Sequence, residues 1–253
     1  MLATLATTAL ALYLLIAEPL LGRRAHDRLL LALDAGVPDA RRRFYREWIW
    51  QGWALLLVTL AVTLGLAGWT PARLGLGWPH WPTGVTGSLL GGMAVGVGLA
   101  SAGGIAIGWI RSRLRNGAAP TQSLHLGSGY KLLRMLPRTH TERRSFAALS
   151  LTAGITEEVI WRGFGLGLLF ALLPQAPVAV AIVLASLAFG WAHLYQGRTG
   201  ILVTAALGAL FAWLYWATGS LLLPMLLHVL VDLRAAFLPV PPDAPVQAGM
   251  PAS

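Results

Sequence analysis

The chain contains no cysteine and few charged residues. The absence of cysteine excludes disulfide bonds and thiolate chemistry. Charged residues make up 11% of the sequence, whereas a typical soluble domain has about 25%. The mean hydropathy is +0.65. A chain that is this poor in charge and this apolar is predicted to be an integral membrane protein.

Long stretches of the sequence lack Asp, Glu, Lys and Arg, and each is long enough for a membrane span of about 20 residues. We therefore predict an all-α fold, a polytopic transmembrane helical bundle of about seven spans. The first stretch has no basic region and no cleavage pattern before Glu18, so we expect a retained span rather than a signal peptide. The predicted spans are 2–21, 48–69, 84–110, 145–173, 176–196, 199–217 and 220–238.

Basic residues outnumber acidic residues by 19 to 10 and are concentrated in two predicted loops. Loop 22–47 contains seven Arg and loop 111–144 contains eight basic residues, whereas loop 70–83 contains only Arg73. With seven spans these basic loops fall on one side of the membrane. The positive-inside rule then predicts an outside N-terminus and a cytoplasmic C-terminus. Membrane topology thus explains the net charge of +9 without a nucleic-acid partner.

Three regions of the chain differ in composition. Residues 1–141 are predicted to form N-terminal transmembrane helices with basic cytoplasmic loops, and residues 142–238 contain four of the predicted spans and the ionisable residues discussed below. Residues 239–253 are rich in Pro and Ala and are predicted to be a disordered tail. Thr139 and Glu142 match the capping-box pattern, which predicts that the fourth membrane helix begins there.

Ionisable residues inside predicted spans are the main functional signal. A charge at membrane depth costs about 2.5–3.5 kcal/mol on insertion scales, so a retained charge usually has a use. We place Glu157, Glu158 and Asp232 within spans, and the other acids in loops, in the tail or at helix ends. Two histidines also lie within spans, His193 and His228.

The two adjacent glutamates are followed by Arg162. Glu158 and Arg162 are four residues apart, so they share a helix face and we expect them to form a supporting ion pair. Glu157 is rotated by about 100° on the helix and is not expected to share this arginine. We interpret Glu158 as structural and Glu157 as available for chemistry. A polar contact between helices is the alternative interpretation.

The two histidines are weak signals individually, because a histidine in a membrane helix is often a packing residue that is hydrogen-bonded to a neighbour. Asp232 lies one turn after His228, and a carboxylate at this spacing can fix the tautomer and orientation of an imidazole. We expect the side chains of Glu157, His193 and His228 to converge around about one water or metal ion. The expected site is a polar cavity that opens to the cytoplasmic side.

The order of these motifs resembles the CPBP family of intramembrane proteases, which includes the type II CAAX prenyl endopeptidase and the bacterial Abi proteins. The family pattern is Glu-Glu-x-x-x-Arg, then Phe-x-x-x-His, then His-x-x-x-Asn or Asp, and it matches residues 157–162, 189–193 and 228–232. The resemblance covers residues 142–238 as a catalytic core.

The sequence departs from the family pattern at Asp232, where the family more often has Asn. A carboxylate cannot donate a hydrogen bond as an amide does unless it is protonated. An amide role in binding an oxyanion is therefore in doubt, and we expect Asp232 to orient His228 instead.

The resemblance implies hydrolysis of a peptide bond in a membrane-associated substrate, with two versions of the chemistry. In the glutamic version, Glu157 activates a water, His193 and His228 stabilise the oxyanion, and no cofactor is needed. In the zinc version, the same three side chains ligate one zinc ion. The sequence contains no His-Glu-x-x-His helix, and we favour the glutamic version. Asp232 completes the catalytic set in either version.

The resemblance also implies the partners and the location. We expect a lipid bilayer and a membrane-associated peptide or protein as partners, and the bacterial plasma membrane as the location. Prenylated C-termini, bacteriocin-related peptides and other membrane proteins are all open as substrates. The alternatives are a non-catalytic CPBP-like scaffold or immunity factor, and a proton-coupled transporter, since Glu, His and Asp within membranes also form proton relays.

Overall fold

The computed structural model describes residues 1–114 and 127–238 of the chain. Within these two ranges the chain forms helices and no strand. The prediction of an all-α membrane-helix fold is therefore confirmed. The predicted tail, 239–253, lies outside the described residues.

The described residues form ten α-helices, several of which continue into short segments of other helix types. In chain order, α1 to α10 are Leu2–Leu12, Glu18–Asp34, Ala40–Leu60, Gly84–Leu114, Gly127–Arg134, His140–Glu157, Gly167–Leu172, Val178–Ala192, Gly197–Thr218 and Leu222–Ala235. The π-helical segments are Tyr13–Ala17, Ala61–Leu66 and Glu158–Leu166, and a 3₁₀ turn covers Leu194–Gln196.

Each of the seven predicted spans falls on a helix, but the predicted count of seven membrane crossings is not confirmed. Within the described ranges, four helices are long and apolar enough to cross a membrane. Helices α8 and α10 have only 15 and 14 residues, and α6 begins with charged residues. The four candidate spans are Leu2–Asp34, Ala40–Leu66, Thr86–Arg111 and Leu194–Thr218.

The first helix, as the term is used below, covers Leu2–Asp34 and consists of α1, the π-helical segment Tyr13–Ala17 and α2. It is longer than predicted, so part of the predicted basic loop 22–47 is helical. Pro19 does not end this helix, although proline lacks the N–H of a regular helical hydrogen bond. The π-helical segment Tyr13–Ala17 ends two residues before Pro19 and accommodates the hydrogen bond that the proline lacks. As a result Glu18, which we predicted to lie at a helix end, lies inside the first helix.

Helix α6 begins as the sequence predicts. The hydroxyl of Thr139 accepts a hydrogen bond from the backbone N–H of Glu142 at 3.1 Å. The carboxylate of Glu142 accepts one from the backbone N–H of Thr139 at 3.0 Å. This reciprocal capping box satisfies two backbone N–H groups that have no partner within the helix. It fixes where the helix that carries the two glutamates begins.

Helix α6 packs between α3 and α10, and α8 packs against α9. The contact between α6 and α10 is close because Gly154 has no side chain. A Cβ atom at this position would lie 2.4 Å from Cγ2 of Val229 and 2.9 Å from its backbone nitrogen. This close approach brings the glutamates at the end of α6 next to His228 on α10.

Candidate active site

The predicted site residues come from three separate elements. Glu157 is the last residue of α6, and Glu158 begins the π-helical segment that continues it. His193 caps the C-terminus of α8, and His228 lies in α10. A π-helical turn inside an α-helix is rare and is frequently found at a functional site. Here it lies directly beside the two carboxylates.

Glu158 is the centre of a buried polar network. One of its carboxylate oxygens, Oε1, accepts a hydrogen bond from Nη1 of Arg162 at 2.9 Å and is 2.7 Å from Nδ1 of His228. The guanidinium of Arg162 also lies 4.0 Å from the ring centroid of Phe189 and donates to the backbone oxygen of Gly208 at 3.4 Å. The predicted Glu158–Arg162 ion pair is therefore present, and an aromatic face and a carbonyl also contact the arginine. The other carboxylate oxygen of Glu158, Oε2, is buried without a hydrogen-bond partner among the described residues.

His193 is oriented by the backbone of its own motif. Its Nδ1 lies 2.9 Å from the backbone oxygen of Phe189, and because a carbonyl only accepts, Nδ1 carries the proton. Its Nε2 is directed towards Glu157, with a separation of 3.9 Å from Oε2. Phe189 thus contributes a backbone carbonyl to His193 and a ring face to Arg162.

Glu157 faces both imidazoles and not the arginine. Its Oε2 lies 3.9 Å from Nε2 of His193 and 3.9 Å from Nε2 of His228. Within the described residues this oxygen is buried and has no hydrogen-bond partner. A buried acceptor without a partner is costly, so such a group usually holds water, an ion or a ligand. The structure therefore brings the three side chains together around a gap of about one small group, which is the predicted arrangement.

Asp232 does not take the position that the sequence predicts. Its Oδ2 lies 3.7 Å from Nε2 of His228, which is too far for a hydrogen bond. Glu158 orients the imidazole instead, because it occupies the opposite nitrogen, Nδ1. The one-turn spacing along α10 places Asp232 beside Nε2 of His228, which is the ring nitrogen that also faces Glu157. Its side chain therefore contributes charge at the gap and does not fix the tautomer.

A cavity of about 320 Å³ reaches this gap. Glu157, His193, His228 and Asp232 all line it. Most of the remaining wall is apolar and comes from both the N-terminal and the C-terminal part of the chain. These apolar residues include Phe44, Trp48, Leu132, Phe146, Leu207 and Phe211.

A second, smaller chamber of about 50 Å³ lies on another side of Glu157. Glu157 and His193 line it together with Glu18 and Gln51. Sequence reasoning missed Glu18 and Gln51. The available signal was that the apolar character of the chain resumes after Glu18, so that this acid lies inside a helix.

The residue types around the gap suit zinc, but their spacing does not. Tetrahedral zinc with bonds of about 2.0–2.2 Å holds neighbouring ligand atoms about 3.3 Å apart, whereas Oε2 of Glu157 is 3.9 Å from each imidazole nitrogen. Within the described ranges, no group of three His, Asp or Glu side chains is placed to hold a metal ion. A water molecule, which forms hydrogen bonds of about 2.8 Å, spans 3.9 Å between two partners.

Comparison with known proteins gives one match, to a family model. No curated protein and no solved structure matches the chain. A family model, described as type II CAAX prenyl endopeptidase Rce1-like, matches residues 141–234. This segment begins at the first turn of α6 and contains both glutamates, both histidines and Asp232. Over residues 141–234 the chain is therefore similar to the type II CAAX prenyl endopeptidase Rce1-like family.

Proposed function

We propose that the protein is an intramembrane endopeptidase in which Glu157 activates a water molecule to hydrolyse a peptide bond of a membrane-associated substrate. The observation that supports this most is the buried Oε2 of Glu157. It has no hydrogen-bond partner within the described residues and faces Nε2 of both His193 and His228 at 3.9 Å. A water in this gap contacts a carboxylate that can take its proton and two imidazoles that can fix its position.

The reaction begins with the transfer of a proton from this water to Glu157. The water oxygen forms a bond to the carbonyl carbon of the scissile peptide, and the carbonyl oxygen becomes an oxyanion. When the carbon–nitrogen bond breaks, Glu157 returns the proton to the leaving amine. The two products are a carboxylic acid and an amine, and the enzyme regains its starting state.

The two histidines have different tasks in this proposal. Nδ1 of His193 donates to the carbonyl of Phe189, so its Nε2 can accept a hydrogen bond from the attacking water. Nδ1 of His228 donates to Glu158, and its Nε2 faces both Glu157 and Asp232. A proton on this Nε2 would stand where the oxyanion forms, and a fixed donor at that point lowers the barrier.

The cavity favours an apolar or lipid-modified substrate segment, because most of its lining residues are apolar. The matching family model is named for prenyl endopeptidases. A peptide with a prenylated C-terminal cysteine is therefore the first substrate to test. Membrane-tethered peptides without a lipid group are the matched comparison.

We also propose that the cavity opens to the cytoplasm. Arg134 forms an ion pair with Asp34 at 2.7 Å, and its carbonyl accepts a hydrogen bond from Nε of Arg41 at 2.8 Å. These contacts gather the basic segments at one end of the bundle, and Leu132 and Leu136 of the same region line the cavity. The positive-inside rule assigns such an end to the cytoplasm.

Proteoliposomes that contain the purified protein test the proposal. Prenylated and unmodified membrane-tethered peptides are added, and mass spectrometry identifies any new termini. We expect cleavage by the wild type and none by Glu157→Gln prepared in parallel. If neither peptide class is cleaved, the proposed hydrolysis of these substrates fails; if both proteins cleave equally, Glu157 is not the base.

A further inference from the structure

The chamber of about 50 Å³ beside Glu157 is lined in part by residues that the proposed reaction does not use, among them Glu18 and Gln51. The side-chain amide of Gln51 lies 3.1 Å from each carboxylate oxygen of Glu18. This pair joins the first helix to α3. Thr156 and Trp161 complete the wall towards the catalytic glutamate.

The chamber and the larger cavity share a boundary. Glu157 and His193 line both spaces, whereas Glu18, Gln51 and Trp161 line only the chamber. Glu157 therefore contacts both spaces. A peptide in the larger cavity would cover only one of them.

The chamber is large and polar enough for water. A cavity volume of about 10–15 Å³ is enough for one water, and a buried water needs two to four polar partners. The walls provide the carboxylates of Glu18 and Glu157, the amide of Gln51 and the hydroxyl of Thr156. A carboxylate has about four acceptor positions, so Glu18 can accept from water as well as from Gln51.

We propose that the Glu18–Gln51 pair holds a water reserve from which Glu157 takes the water that each hydrolysis consumes. This inference rests on the proposed peptide hydrolysis. One water is lost from the site in every turnover, and a substrate in the larger cavity blocks its replacement from the cytoplasm. With substrate in the larger cavity, the chamber is the polar space that still contacts Glu157.

A purely structural role is the competing explanation, because polar side chains also join helices in membranes. A matched control separates the two. Trp191 donates from Nε1 to the backbone oxygen of Leu15 at 3.0 Å and so also ties the first helix to the bundle, but it lines neither space. Trp191→Phe removes this contact and leaves the chamber unchanged.

The kinetic test compares Glu18→Leu, Glu18→Gln and Trp191→Phe in proteoliposomes. Glu18→Leu removes one carboxylate and the partner of Gln51 from the wall, and we expect kcat to fall at least about tenfold with KM within about twofold, because substrate binds in the other cavity. Glu18→Gln keeps a polar wall and should stay within about threefold of the wild-type kcat. Trp191→Phe should leave kcat unchanged, and thermal midpoints in detergent identify any variant that has lost its fold.

A second readout does not depend on proteolysis. X-ray radiolysis oxidises side chains next to bound water, and Trp161 lines only the chamber. We expect oxidation of Trp161 to fall in Glu18→Leu and to persist in Glu157→Gln. An unchanged kcat in Glu18→Leu overturns the inference, and so does a lower kcat with unchanged Trp161 oxidation. If the wild type cleaves nothing, the proposed function fails, while Trp161 oxidation still reports whether the chamber holds water.

Discussion

Glu158 and His228 are 70 positions apart in the sequence and are joined by a buried contact of 2.7 Å between Oε1 and Nδ1. The same oxygen pairs with Arg162 at 2.9 Å. One carboxylate thus neutralises a buried cation and fixes an imidazole. The orientation of His228 therefore depends on an ion pair that lines neither of the two spaces beside Glu157.

Removal of Glu158 should damage both folding and cleavage. Glu158→Gln leaves Arg162 buried without its counter-charge, and breaking one partner of a buried pair costs about 3–5 kcal/mol. We expect a clear drop of the thermal midpoint. We also expect roughly 100-fold slower cleavage, because a small displacement of a catalytic group has an effect of this size.

The double variant Glu158→Leu/Arg162→Met separates the two effects. Replacing a buried ion pair by apolar residues of similar volume is often neutral for stability. The double variant should therefore recover most of the thermal midpoint and none of the activity, because His228 still lacks its acceptor. Recovery of cleavage together with stability would show that Glu158 serves only to pair Arg162.

Gly154 should be intolerant of a methyl group. Gly154→Ala places a Cβ 2.4 Å from Cγ2 of Val229, so α6 and α10 must separate. Overpacking of this kind costs about 1–3 kcal/mol, and here it also moves His228 away from Glu158. Gly96→Ala is the control, because Gly96 is exposed on α4 and its Cβ would meet nothing within 4 Å. We expect lower stability and lower kcat for the first variant only; equal behaviour of the two would contradict the close approach.

Asp232 should tolerate the amide that is commoner in the family. Its Oδ2 is 3.7 Å from Nε2 of His228, and Glu158 already fixes that ring, so Asp232→Asn leaves the imidazole in place. The amide N–H₂ adds a donor beside the oxyanion. We expect kcat within about threefold of wild type or higher, and a larger loss for Asp232→Ala. A loss of activity in Asp232→Asn equal to that in Asp232→Ala would return the orienting role to Asp232.

Much of the site could be predicted because its residues stand out chemically. Glu157, Glu158 and Asp232 interrupt apolar stretches, and the Glu158–Arg162 spacing of four residues directly predicts a pair on a helix. The capping box likewise depends only on local sequence. These features need no knowledge of how helices pack.

The rest depends on contacts between distant helices. His228 pairs with Glu158 and not with Asp232 because of the π-helical segment and the close approach of α6 and α10 at Gly154. Neither feature can be predicted from the spacing of residues along a helix. Glu18 was assigned to a helix end because the predicted first span stopped at residue 21, whereas the helix continues. Its position near Glu157 is set by the packing of the first helix, which one sequence does not specify.

The two versions of the chemistry differ in metal dependence. The 3.9 Å separations favour water, so cleavage should persist after treatment with a zinc chelator. Elemental analysis of the same active sample should find far less than one zinc per chain. Loss of activity on chelation that zinc restores, with zinc present at about one per chain, would support ligation by Glu157, His193 and His228.

The most direct test of Glu157 as the base is the cleavage rate of a Glu157→Gln protein that is as well folded as the wild type. The amide keeps the size of the side chain and loses the ability to take a proton from water. We predict a thermal midpoint close to that of the wild type and a loss of cleavage of about 100-fold or more, the contribution of a general base. A well-folded Glu157→Gln protein that cleaves within about tenfold of the wild-type rate would contradict the account.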